Sequence, residues 1–347
     1  MSAQRKRKPK IRYDRIAVVA VIFIILIVLL ASCINSCSKK KDDSESTSSK
    51  ASSSQAAVKD DKSSKKDSKD DSDTKKKDES SKEKKTESEA GETEYTTLNA
   101  IPNDVFSGDL IVVNKDNEYQ FPADESDNGE LVSIYSTKTE SYQVKDMETM
   151  LRKEVVDQLN SMMDAFYGEK KNTDLMVISA YRTKEYQDGL YNSGSSDVKG
   201  GFAEYHTGLS FDLGIFPAGQ NSYYYTNSGD YAWIADNCAS YGFIIRYPKG
   251  KEDKTGYDAS THQFRYVGIP HAYYITENNL CLEEYIDMLK DYKYGEQTLS
   301  VTADDAKYEI YYVASGASGD TEIPVPSNKD YTVSGNNKDG FIVTVKL

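Results

Sequence analysis

The sequence predicts an α+β fold in which a small sheet is packed by helices. A C-terminal all-β appendage follows it, and a basic, apolar N-terminal anchor and a disordered linker precede it. Three observations predict this: helix-spaced apolar residues alternate with short apolar runs between residues 95 and 295; Val/Ile/Tyr-rich runs replace them from 296 to 347; and residues 38–94 hold essentially nothing able to form a core, behind a basic and then apolar first 37.

Within 95–295, Met147, Leu151, Val155, Leu159, Met162 and Phe166 recur at helical spacing, which predicts one helix over 146–168 ending at Gly168. Leu175 to Ile178 follows as a short buried strand and leaves Arg182 in the loop just past its end, where functional side chains are often displayed. A second helix is expected over 230–241 with Gly242 as its stop, then a strand at 243–245, another at 264–267 and a helix over 280–290. In 296–347, four runs (308–313, 323–325, 331–333 and 341–345), separated by Gly, Asn, Pro and Asp, read as strands of a small β unit.

The first 37 residues are a basic segment, rich in Arg and Lys up to Arg15, followed by an uncharged apolar run from Ile16 to Ala31. That run belongs in a membrane, with the basic end in the cytoplasm and the rest of the chain outside. It ends in Leu30-Ala31-Ser32-Cys33, which resembles a bacterial lipobox with Cys33 as the lipidated residue; an uncleaved signal-anchor helix is the alternative, and both stay open. Residues 38–94 are almost only Ser, Lys, Asp, Glu and Thr, the composition of a disordered tether. A flexible coil of that size reaches about 40 Å root-mean-square. The chain carries 56 acidic and 43 basic residues for a net charge of -13. With acidic residues interspersed among the tether's lysines and no aromatic partners there, a nucleic-acid role is excluded. No CxxC pattern occurs; Cys238 and Cys281 are either a disulfide or two buried thiols.

All three histidines fall in two short blocks, His206 in Ala203 to Asp212 and His262 and His271 in Ser260 to His271. Grouped with Glu204 and Asp212, they are the candidates for a metal site, although a lone histidine is more often a satisfied polar residue. His271 is read as structural. The run Tyr223 to Tyr225 and Trp233 are read as packing residues, and neither cysteine has a base at a spacing that would make a nucleophile.

Five blocks occur together in order: Ser179-Ala180-Tyr181-Arg182 with Gln187, Gly208 to Asp212, Tyr241-Gly242-Phe243 with Arg246-Tyr247-Pro248, Thr255-Gly256, and Phe264 to Gly268 with His271-Ala272. This set resembles the VanY-like zinc D-alanyl-D-alanine carboxypeptidases over about residues 109–290. The resemblance implies a monomeric cell-wall hydrolase that removes the terminal D-alanine of peptidoglycan stem peptides. It implies a zinc ion held by a His, an Asp seven residues on and a second His, with a Glu three residues before that His as general base. Carried over, Asp212 is the metal-binding aspartate, Arg182 stabilises charge at the scissile carbonyl, and Gln187 is its neighbour.

The remaining positions depart from the pattern. Tyr205 stands seven before Asp212, Gln263 at the second ligand, and Ser260 at the general base. His206 and His262 each lie one position away, so two expectations follow. Either a shifted site of Asp212, His206 and His262 holds zinc, or the fold binds stem peptides without turnover through Arg182, Gln187, Tyr205, Ser260 and Gln263. A one-residue shift ordinarily turns a side chain to the other face of an extended segment.

Overall fold

The structure, a computed structural model, describes residues 93–123, 129–317 and 319–347. The basic segment, the apolar run with Cys33 and nearly all of the Ser/Lys/Asp/Glu segment lie outside the described residues. No helix among the described residues is long and apolar enough to cross a membrane.

Fourteen strands follow one another in the described chain: β1 (Tyr95–Ala100), β2 (Leu131–Ser133), β3 (Gln143–Val144), β4 (Met150–Arg152), β5 (Leu175–Ser179), β6 (Ser210–Ile215), β7 (Tyr223–Tyr224), β8 (Phe243–Tyr247), β9 (Ser260–Tyr266), β10 (Leu299–Ala303), β11 (Ala306–Ala314), β12 (Thr321–Pro326), β13 (Tyr331–Gly335) and β14 (Gly340–Lys346). The central sheet runs β3-β5-β6-β9-β8, with β7 added to β6. Only the β3–β5 pair is parallel.

One face of this sheet carries Val177, Phe211, Leu213 and Phe264 into a core closed by the helix Lys153–Lys170, whose Val155, Leu159, Met162 and Phe166 are all inaccessible to solvent. Burying each such side chain is worth about 1.5–3 kcal/mol, so this face anchors the sheet. That helix starts later than the apolar spacing predicts. Residues 150–152 are instead β4, paired with β2, and Asp146 forms a turn by accepting from the Glu148 backbone N–H and the Thr149 hydroxyl. Met147 is 67% exposed, outside the apolar stripe. The helix also runs past Gly168 to Lys170 and stops where Lys171 adopts a left-handed conformation.

Strands β5 and β8 contain the short runs read as strands and are a little longer, β9 starts four residues before the expected 264–267 run and ends one before its end, and the expected helices shorten to Ala232–Asn237 with a 3-10 extension to Tyr241, and to Leu282–Leu289. The C-terminal stretch forms a four-stranded antiparallel sheet, β10-β11-β14-β13. Across the expected 295/296 boundary, β1 pairs along its whole length with β12. Chain ahead of the central sheet thus completes the C-terminal β layers. A second core joins β10, β11 and β14 to the helices Ile269–Glu277 and Leu282–Leu289. Cys238 and Cys281 are both buried free thiols.

Candidate functional site

Three strands bring polar residues into one row. In the central sheet Asp212 on β6 lies directly opposite Gln263 on β9, and Ser179 at the end of β5 lies opposite Asp212 on the other side, at a bulge after Val177. Strand β6 is buried along its whole length, so Asp212 is held away from water by its neighbours rather than by a loop.

Tyr205 comes from a different element, the 3-10 turn Glu204–Thr207, which leads into β6. The turn closes on Gly208 at φ 68, and a Cβ there would meet Leu131 Cδ2 at 2.9 Å, so both backbone conformation and space call for glycine. From this turn the Tyr205 side chain reaches across the row. Its hydroxyl lies 2.9 Å from both carboxylate oxygens of Asp212, to which it donates, and 3.2 Å from Gln263 Oε1. Burial drives the Tyr205 phenol pKa well above its ordinary value, with Asp212 adding to the effect. Burial likewise pushes the Asp212 carboxyl up to about 6, against the lowering pull of the Tyr205 hydrogen bond and of Arg182.

Arg182, just past β5, is fixed on three sides. One terminal nitrogen donates to Gln187 Oε1 at 2.9 Å, the other to Ser179 Oγ at 2.6 Å, and the guanidinium lies 3.8 Å from the centre of the Tyr205 ring. Gln187, on the helix Lys184–Asn192, is completely buried and donates in turn to the Val198 carbonyl and to Ser196 Oγ. A planar cation gripped in this way presents its remaining N–H groups in a set direction, which suits a carboxylate or carbonyl oxygen. Arg182, Gln187, Tyr205 and Gln263 line a pocket of about 300 Å³ whose walls also include Phe202, Tyr247, Tyr257, Ser260 and His262. Ser179 and the Tyr247 and Tyr257 walls carry no role in the sequence reading; the Ser179-x-x-Arg182 spacing is the one signal that points to the first.

The two shifted histidines do not enter a metal site with Asp212. His206 is fully buried behind the turn: its Nδ1 pairs with the Arg182 carbonyl at 2.7 Å and its Nε2 accepts from the Gly201 backbone N–H at 3.0 Å. Both ring nitrogens are therefore committed to backbone, which fixes the tautomer with the proton on Nδ1, and burial lowers the pKa. The residue ties the Arg182 loop to the Tyr205 turn. His262 lines the pocket but turns to Ser260, 3.1 Å from its Nδ1, and stacks on Tyr224 at 4.4 Å. The one-residue shift has the consequence that strand and turn geometry dictate: Tyr205 and Gln263 point at Asp212, and their histidine neighbours point elsewhere.

Glu204, a conceivable substitute base, is also committed. It is buried between Arg246, at 2.8 Å, and Arg265, and Arg246 continues to Glu283 at 2.6 Å. Burial opposes its charge, but the two guanidiniums more than offset this and hold the carboxyl below its usual range. Glu204 is thus a fixed anion of the core. His271, deeper in the core, is bracketed by the Tyr285 hydroxyl at 2.7 Å and Thr344 Oγ1 at 3.0 Å, and burial lowers its pKa to about 3.

The zinc set that the resemblance implies does not fit these residues. Zinc sites use three protein ligands drawn from His, Cys and carboxylate, and among the described residues no three such side chains converge. Asp212 supplies one. Its companions here are a phenol, already bonded to Asp212, and an amide whose Oε1 lies 3.2 Å from that phenol, and no buried polar side-chain atom among the described residues lacks a partner that a metal would satisfy.

Residues 148–269 match the family model described as VanY, D-alanyl-D-alanine carboxypeptidase. A D-alanyl-D-alanine carboxypeptidase of Enterococcus faecium is 32% identical over 269 residues, covering 76% of this chain and 83% of that protein. A bifunctional D-Ala-D-Ala dipeptidase and carboxypeptidase, VanXYC of Enterococcus gallinarum, is 31% identical over 157 residues, 42% of this chain and 81% of that one. Among solved structures, the vancomycin-resistance D,D-dipeptidase VanXYg in complex with a D-Ala-D-Ala phosphinate analogue superposes with a TM-score of 0.62 at 27% identity, covering 73% of this chain and all of that one. On this shared sequence and fold, the chain belongs to the VanY family of D-alanyl-D-alanine carboxypeptidases and is carboxypeptidase-like in function.

Proposed function

We propose that the pocket takes the D-alanyl end of a peptidoglycan stem peptide, with Arg182 as the partner of its carboxylate or carbonyl oxygen. The observation that carries this reading is the threefold grip on Arg182 by Gln187, Ser179 and the Tyr205 ring. A pocket of about 300 Å³ lies at the small end of ligand sites, suited to a peptide terminus. The ligand class comes from the relatives, which are D-alanyl-D-alanine carboxypeptidases, and from a structural neighbour that holds a D-Ala-D-Ala analogue.

Removal of the terminal D-alanine is the first reading, as the family's activity. Retention of the peptide without turnover is the second, favoured by Tyr205, Gln263 and Ser260 at the family's ligand and base positions. The anchor at 16–31, with or without lipidation at Cys33, and the Ser/Lys/Asp/Glu tether would set the folded part outside the membrane, facing the wall as a monomer; the C-terminal β unit is then an appendage of the peptide-binding domain. Calorimetric titration of the full chain with a pentapeptide ending in D-Ala-D-Ala tests the reading, alongside an assay of released D-alanine. Saturable binding lost in Arg182→Ala supports it. No binding to the pentapeptide, or binding untouched by that substitution, would refute it, and D-alanine release decides between the two readings.

A further inference from the structure

We infer that the Tyr205 hydroxyl stands in the place a family member gives to its metal, and that this chain holds D-alanyl ends in a metal-independent way. The inference rests on the reading that the pocket takes such peptides and deepens it. Its first support is reach. A histidine nitrogen plus a metal bond of about 2 Å spans much the same distance from the backbone as a tyrosine ring plus its hydroxyl. Replacing the first ligand histidine by Tyr205 therefore puts a phenol oxygen where the ion would sit, and that oxygen is found touching Asp212 and the residue at the second ligand position, Gln263.

The second support is that the exchange is chemically closed. A buried carboxylate deprived of its metal needs a donor, and Tyr205 gives its one proton to Asp212. The second family ligand, as Gln263, offers an amide in the same row rather than an imidazole. A metal entering here would have to evict the phenol and strip Asp212 of its donor, with two oxygens and no nitrogen or sulfur as its reward.

The third support concerns what faces the peptide. A metal ion draws carbonyl lone pairs, whereas a phenol that has given its proton away offers lone pairs of its own. Arg182 is the one Arg or Lys lining the pocket, so it is the electrophilic group left to meet the peptide's carbonyl or carboxylate. Its guanidinium, stacked on the Tyr205 ring, is positioned by the same residue that fills the metal's place.

The test uses the full chain, dialysed against zinc and then measured for bound metal, with pentapeptide titrations run in zinc and in EDTA. The wild type is expected to hold well under a tenth of a zinc per chain and to bind peptide with the same affinity, within twofold, in both buffers. Tyr205→His combined with Gln263→His is expected to raise zinc to about one per chain. About one zinc on the wild type, or peptide affinity that falls tenfold or more in EDTA, would overturn the inference. Should the double variant not fold, the wild-type pair of measurements still decides. If no peptide binds in either buffer, the pocket reading fails, while zinc uptake continues to judge the metal's replacement separately.

Discussion

Asp212 is a buried carboxylate with no cation bonded to it, and this makes a sharp prediction about stability. In the folded chain its pKa is pushed up to about 6 from an ordinary 3.8, burial outweighing the Tyr205 hydrogen bond and the attraction of Arg182. The unfolded chain gives up this proton near pH 4, and the folded chain holds it to near pH 6. Between those values the native state binds more proton, so the stability that Asp212 contributes is present below about pH 4 and is lost as pH rises through 6. A rise from 3.8 to about 6 corresponds to about 3 kcal/mol.

Asp212→Asn keeps the shape, still accepts from Tyr205 and does not titrate. The variant should match the wild type near pH 4 and exceed it by up to about 3 kcal/mol at pH 7.5. Urea denaturation at the two pH values, followed through the fluorescence of Trp233, the single tryptophan, measures the difference directly. Comparing the two chains at each pH cancels every other carboxylate. A stability gap that is the same at both pH values, or one that favours the wild type at pH 7.5, would refute the reasoning about Asp212.

Three further outcomes follow from the same geometry. Arg182→Ala should weaken pentapeptide binding by about 10- to 150-fold, the worth of a charged hydrogen bond of about 1.5–3 kcal/mol, and Arg182→Lys should restore little of it because a point charge cannot reproduce the fork between Gln187 and Ser179; titration calorimetry reads both. Glu204→Gln leaves Arg246 and Arg265 buried beside a neutral group and should cost about 3–5 kcal/mol in urea denaturation. Gly208→Ala forces a side chain into left-handed backbone against Leu131 and should cost at least about 1–2 kcal/mol, measured by thermal unfolding.

Much of the site was legible because it is carried by spacing within short blocks. Arg182 and Gln187 are bonded to each other, and Arg182 stacks on the Tyr205 ring whose hydroxyl donates to Asp212. Strand β6, the element that carries Asp212, was not legible. Its run Ser210-Phe211-Asp212-Leu213-Gly214-Ile215 places polar residues and a glycine among the apolar ones, and its burial comes from distant chain, β5 and β9 at its edges and the Lys153–Lys170 helix on one face. The fate of Glu204 was equally invisible, since its partners lie 42 and 61 residues away and no local pattern connects them. His206 shows the limit most clearly. A histidine beside a ligand position looks like a displaced ligand until the backbone groups on both its nitrogens are known.

The substitutions at the metal positions are better understood as one exchange than as separate losses. Had the first ligand become a small residue, Asp212 would keep its burial and lose the Tyr205 hydroxyl as donor, a state that costs several kcal/mol for a charged group. Had Tyr205 arrived beside a second-ligand histidine, its hydroxyl would compete with that imidazole for Asp212. With Gln263 in the row, the phenol gives its proton to the carboxylate with no imidazole competing for it, and its ring supports Arg182. The fold can make this exchange because much of its stability lies elsewhere: the Lys153–Lys170 helix packs the opposite face of the sheet, and the Glu204–Arg246–Glu283 network holds the turn. Arg182 keeps its own bonds to Gln187 and Ser179 whatever Asp212 holds, so the peptide-binding half of the site survives a change of occupant in the metal half.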